Sequence, residues 1–417
     1  VAKDPDDGTG TFIIDPATDK RVRVGPVASG TPPEVVGTFR TSDGQHYAIA
    51  SGTTGFSVTW PNATTLLMPA SPDGRAASAI IRLDAGDGPE SGTSATTAFL
   101  RVLPATTLRD VLGGPSTLQA FLVERTELGT AGAPGRTTIG IQRMNLADAS
   151  PADDSFVWKC TDNCLEQLDE ASLCGAADHL RGRDPQDTDR PELALVGRFN
   201  GTLDFGGDIV LTTDGGTSGL PVEDSFVVVF DGDGNPRIGR KGGGMSVERV
   251  GFSPEGDVIL TGTFAGAAGL GMGATAVGTR DVFVGTFAKE NLEPVVSATF
   301  GTSDRATSLA SGTLELETGG TCTASGGIVG FALRTNDALQ FAGLGGNGTA
   351  CVGEPMAVAE GADVKVLAAP GGGHFFWLTG GAGLPYADGG EPGTWPPVSD
   401  WSAAAGGSRA RIMNNAR

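Results

Sequence analysis

The segment LVGRFNG at 195–201 returns as LTGTFAG at 260–266, and LTG occurs once more at 378–380. Downstream of the first two copies, DSFVVVF at 224–230 matches DVFVGTF at 281–287. The first motif recurs after 65 residues and the second after 57, so one unit repeats with connections of unequal length. Both motifs alternate or concentrate β-branched and aromatic residues over about seven positions, the length of a short strand.

Fainter copies run toward both ends. Gly52 and Trp60 are spaced like Gly197 and Phe205, and SAIIRLD at 78–84 takes the place of SFVVVFD at 225–231. TFIID at 11–15, TIGIQRMN at 138–145, IVGFALR at 328–334 and SRARIMN at 408–414 read as further strands. Between them lie SDGQ at 42–45, SPDG at 71–74, DGDGN at 231–235 and SPEG at 253–256. Asp and Ser there supply a turn hydrogen bond, and Gly supplies the positive φ that tight hairpins need. The 66 glycines and the lack of any long stretch with helical apolar spacing point the same way, to an all-β chain of many short strands.

From Gly52 to Gly380 the repeat averages about 66 residues, enough for four short strands and their loops, which is one blade of a β-propeller. The remaining arc, from Gly380 through the C-terminus and round to Gly52, is 89 residues. That favours about six four-stranded blades, with seven as the alternative. The expected domain is a single β-propeller over 1–417. A ring of blades must hide its strand edges, so TFIID and RVRVG near the start are expected to pair with the strands around RARIM near the end and close it. Two departures from the repeat stand out: an insertion at 160–192 that contains cysteines, and a Pro-, Gly- and Trp-rich loop at 381–400.

The V-T-G-x-F-x-G strand, F-G-G turn and D-x-F-V-x-x-x-D strand resemble the Gly-rich β-propeller repeats of secreted and surface lipoproteins in myxobacteria and related bacteria. The match is good over 193–301 and degenerate elsewhere. What the resemblance implies is a propeller outside the cytoplasm, at the outer cell surface, released from the cell or in the periplasm; it brings no catalytic residues. Val1 stands where an initiator Met would, which fits a removed signal peptide and equally fits a start that lies elsewhere.

Charge and cysteine usage add to this. Asp and Glu outnumber Lys and Arg 49 to 29, a formal charge of -20, and a field of that sign repels phosphate backbones, so no nucleic-acid partner is expected. No apolar run reaches the roughly 18 residues of a membrane-spanning helix. Five cysteines, Cys160, Cys164, Cys174, Cys322 and Cys351, lack the paired spacing of a zinc site and read as disulfides of an oxidising compartment. The expected bonds are Cys322 to Cys351, on the reading of TLELETGG as a second strand and ALQFAGLGG as a fourth, and one bond among the three in the insertion.

Candidate contact residues cluster near the C-terminus, where the long loop carries Tyr386 and Trp395, with His374 before it and Trp401 at its far end; large aromatics on a long loop form contact surfaces for sugars or proteins. Asp231, Asp233 and Asn235 have the 1, 3, 5 spacing of a calcium loop, but Pro236 and Gly242 stand where Gly and an acidic residue belong, so a hairpin tip is the default and no cofactor is expected. The leading functional expectation is a non-enzymatic binding or scaffold propeller that holds a protein or an extracellular glycan, as a subunit of a larger assembly. The alternative is a carbohydrate-active enzyme, a glycan hydrolase or lyase on a propeller scaffold. For that alternative DGGEPGTW at 388–395 only approaches an Asp box, the tyrosines are Tyr47 and Tyr386 alone, and the three histidines lack metal-ligand spacing.

Overall fold

The computed structural model describes residues 2–3, 11–14, 21–27, 33–40, 46–61, 65–68, 77–83, 100–103, 106–112, 118–127, 136–145, 158–159, 175–183, 192–199, 201–213, 224–253, 255–301, 308–312, 328–334, 338–345, 350–352, 356–357, 363–368, 374–379, 398–402 and 409–413. Among them every regular element is a strand, and no helix is long and apolar enough to cross a membrane. The all-β expectation holds.

The chain runs through β1 (Ala2–Lys3), β2 (Thr11–Ile14), β3 (Arg21–Pro26), β4 (Glu34–Arg40), β5 (His46–Gly52), β6 (Phe56–Thr59), β7 (Thr65–Met68), β8 (Ala77–Arg82) and β9 (Leu100–Leu103). Next come β10 (Thr106–Leu112), β11 (Leu118–Glu127), β12 (Arg136–Asn145), β13 (Trp158–Lys159), β14 (Gly175–Arg183), β15 (Glu192–Phe199), β16 (Thr202–Asp204), β17 (Val210–Thr212), β18 (Asp224–Phe230) and β19 (Pro236–Gly242). The sequence continues with β20 (Met245–Phe252), β21 (Val258–Phe264), β22 (Asp281–Phe287), β23 (Pro294–Phe300), β24 (Ser308–Gly312), β25 (Ile328–Arg334), β26 (Ala338–Gly345), β27 (Ala350–Val352) and β28 (Met356–Ala357). It ends with β29 (Asp363–Ala368), β30 (His374–Thr379), β31 (Val398–Ser402) and β32 (Arg409–Met413).

Two compact units divide the chain, one of Val1–Leu195, Gly201–Val210 and Val229–Arg237, the other of Val196–Asn200, Leu211–Val228 and Ile238–Arg417. In the first unit the four-stranded sheets have the orders β4-β5-β8-β9 and β10-β11-β12-β13, beside a five-stranded sheet β1-β2-β3-β6-β7. The second unit holds β20-β21-β22-β23, a sheet ordered β24-β25-β26-β27 with β28 also on β26, and β29-β30-β32-β31. The sheet β14-β15-β18-β19 contributes strand ends to each unit. Most neighbours in these sheets follow one another in sequence, while β3 to β6, β5 to β8, β15 to β18 and β30 to β32 skip the strands between them.

The first strand of four sheets carries a bulge against the second. The register slips at Val35/Gly37, Leu108/Asp110, Val247/Arg249 and Leu309/Ser311, leaving Val36, Arg109, Glu248 and Ala310 as the extra residues. A recurring bulge increases local twist at the same place in each unit. The repeat is therefore structural as well as textual.

Two neighbouring sheets also share an aromatic pair. Phe199 and Phe226 meet edge to face at 6.1 Å and 70°, and their counterparts Phe264 and Phe283 do so at 6.5 Å and 68°. Gly197 and Gly262 stand two residues before Phe199 and Phe264, so the two LVG/LTG copies occupy equivalent strands β15 and β21.

One expectation needs correcting, and observed strands bear on two others. The terminal strands do not pair with each other: β3 pairs with β6, and β32 lies between β30 and β31. The reason is packing, because Ile13, Val22 and Val24 join Phe56, Val58, Trp60 and Met68 in one buried cluster with Ala48, Ala50, Ala79 and Ile81. Within 160–192, Gly175–Arg183 is the first strand of a sheet, so the repeat resumes before the stretch read as an insertion ends. ALQFAGLG is β26, third in its sheet, and Cys351 belongs to the fourth strand, β27, opposite Gly343. The strand order behind the Cys322 to Cys351 pairing is thus not the one observed, and Cys322 lies outside the described residues.

Candidate functional site

Three of the connections between second and third strands, β5 to β8, β15 to β18 and β21 to β22, are long and share a design. Each begins with a large apolar side chain turned into the protein. In the first, the hairpin β6–β7 between β5 and β8, Trp60 is buried and its indole N–H donates to the Arg82 carbonyl at 3.3 Å. In the second, between β15 and β18, Phe205 is buried edge to face with Phe230, at 6.4 Å and 66°. The third, between β21 and β22, buries Leu270, eight residues after Gly262 as Phe205 is after Gly197. Leu270 escaped the sequence reading because an aliphatic residue stands where the other copies have rings.

Past its anchor, each connection turns an aliphatic side chain outward. Leu67 is 65% exposed on β7, Val210 53% on β17 and Val277 67% before β22. Their backbones are well fixed. Gly206 N–H donates to Asp204 Oδ1 at 2.8 Å and Phe205 N–H to the Ile209 carbonyl at 3.0 Å. Val277 and Gly278 donate their N–H groups to the buried Asp281 carboxylate at 2.7 and 3.1 Å. Exposed apolar residues on ordered backbone lose little entropy on contact, which suits them to binding.

The sequence-predicted residues fall as follows. His374 opens β30 opposite Ala368 and Met413, whereas Trp401 lies on β31 opposite Ala410. Trp401 is thus in a strand and not in a loop, and the register places it in one row with Ala410 and Trp377, three rows from His374. Tyr386, Trp395, Cys160, Cys164, Cys174 and Cys322 lie outside the described residues. Asp231, Asp233 and Asn235 do come together, as a hairpin tip. Asp231 Oδ1 accepts from Asp233 N–H at 3.0 Å and Asn235 N–H at 2.8 Å, and Oδ2 accepts from the Asn235 side-chain amide at 3.2 Å. Partial burial pushes the Asp231 carboxyl up, but these donors and Gly234 N–H more than offset it and hold it below its ordinary 3.8. Its lone pairs serve the turn. Among the described residues no group of three or more His, Cys, Asp or Glu is placed to hold a metal ion.

No protein-family model matches the chain, and no curated protein sequence matches it. Solved structures similar to it include a luciferin-regenerating enzyme, at 10% identity and TM-score 0.37 over 94% of this chain and 95% of that one. The Dos1 propeller is similar at 7% identity and TM-score 0.40, over 96% and 81%. A prolyl endopeptidase is similar at 11% identity and TM-score 0.34, over 89% of this chain and 54% of that one. The fold rests on the chain's own sheets.

Proposed function

We propose that the five four-stranded sheets and the β24–β28 sheet are blades of one β-propeller, and that it works outside the cytoplasm of a bacterium as a non-enzymatic binding or scaffold module. Sheet order and hydroxyl contacts between successive sheets support the propeller. The binding role is carried by one observation: three equivalent connections each bury an apolar anchor and expose an aliphatic residue on fixed backbone. The partner is a protein or an extracellular glycan, held within a larger assembly.

The test is cross-linking mass spectrometry on the full chain at the surface of its native host, with Leu67→Asp, Val210→Asp and Val277→Asp made separately. Cross-links from each connection to a partner, lost in the matching variant whose circular dichroism is unchanged, are the expected result. Turnover of a glycan by the purified chain would replace this reading with an enzymatic one.

A further inference from the structure

We propose that the junction between the β20–β23 sheet and the β24–β27 sheet is a built-in seam, which opens more readily than the equivalent junctions at β10 and β20. Equivalent junctions in the fold are tied differently. Where the β4–β9 sheet meets β10, the buried Ser78 hydroxyl accepts from Leu108 N–H at 2.9 Å, and it also contacts the Ser51 hydroxyl. Where β18 meets β20, the buried Ser225 hydroxyl accepts from Val247 N–H at 2.9 Å and donates to the Met245 carbonyl at 2.8 Å. Leu108 and Val247 each stand immediately before the bulge of a first strand, whose outer edge has no strand beside it in its own sheet. A serine from the preceding sheet therefore satisfies backbone groups on that open edge.

At the next junction the equivalent residue is Val282, and β24 presents the same bulge after Leu309. A valine can neither donate nor accept. Among the described residues an apolar cluster forms here instead, made by Ile259, Val282, Val284, Phe300 and Leu344, with Leu344 reaching in from β26. Such burial is non-directional, and Val282 supplies none of the polar tie that Ser78 and Ser225 give at the other two junctions. Thr261 makes matters worse. It pairs with Val284, so it shares the face of β21 and β22 that carries this cluster, and it is fully buried with no hydrogen-bond partner for its Oγ1. Opening the seam hydrates that hydroxyl, which favours the open state roughly 5- to 100-fold relative to a satisfied or apolar side chain.

Amide hydrogen exchange by mass spectrometry on the full chain tests this. In the wild type, peptides covering β24 are expected to exchange at least about tenfold faster than those covering β10 and β20, under conditions where exchange reports local opening. Thr261→Val should slow β24 by roughly 5- to 100-fold and leave β10 unchanged, and Ser225→Val should bring β20 toward the β24 rate. The proposal fails if β24 exchanges no faster than β20 in the wild type, or if Thr261→Val slows all strands alike or none. Should Thr261→Val disturb folding, the wild-type comparison and Ser225→Val still decide it.

Discussion

Gly262 shows how little room one residue of the repeat has. A Cβ there would overlap the Ser246 carbonyl oxygen and sit 2.9 Å from the Phe283 ring, so the glycine is needed for close approach of β20 and for the Phe264–Phe283 contact. Gly262→Ala is expected to cost about 1–3 kcal/mol through overpacking, read as a lower urea midpoint at unchanged slope. At Asp231 the issue is charge. Its carboxyl is held low by turn N–H donors, so the stability it adds is full above its unfolded value and is lost as pH falls through the folded one. The destabilisation caused by Asp231→Ala should therefore be present at neutral pH and shrink below about pH 4, and because the site is exposed it should stay under about 1 kcal/mol. A pH-independent difference between wild type and variant would show that the side-chain charge is irrelevant to the turn.

Two hairpin turns of the chain are built alike. In 231–235 and 253–257 the first residue's N–H donates to the fifth carbonyl, at 2.9 and 2.8 Å, and the fourth residue is a glycine at φ 90° and 95°. Asp231 and Ser253 then accept from the fifth N–H through their side chains. Those hairpins were legible because turn chemistry is local. Pairing between sheets was not, since it depends on residues far apart in the chain. The hydroxyls of Ser78 and Ser225 read as ordinary small polar residues until the edges they cap are in view. Removing either by Ser→Ala is expected to cost about 1–3 kcal/mol, because buried backbone groups lose a partner, and thermal or urea unfolding of each variant measures it. The bulges explain another miss: register aligns Ala50, not Gly52, with Gly262, since Val35↔Ala50 and Val247↔Gly262 both precede a bulge. A slip of two keeps every side chain on its face, so the spelling of the repeat survived the wrong alignment. Of the contact residues, the aromatic cluster drew attention by size, whereas Leu67, Val210 and Val277 are common residues whose exposure only the folded chain reveals.

For the whole molecule the decisive quantity is its charge of -20. Like charges repel across the folded chain more than across an expanded one, so the excess of carboxylates destabilises the compact state. Local attractions oppose this, such as the Arg237–Glu192 ion pair, but an exposed pair contributes at most about 1 kcal/mol and salt weakens it too. Twenty uncompensated charges outweigh a few such pairs. Raising ionic strength from about 0.01 to 0.15 M shortens the screening length from about 30 to about 8 Å, which removes most long-range repulsion while leaving buried contacts intact. Sodium chloride over that range is therefore expected to raise the melting temperature by a few degrees, measured by calorimetry at neutral pH. A fall in melting temperature would mean that attractive pairs dominate the field, and that the acidic excess is spread widely enough to cost the fold nothing.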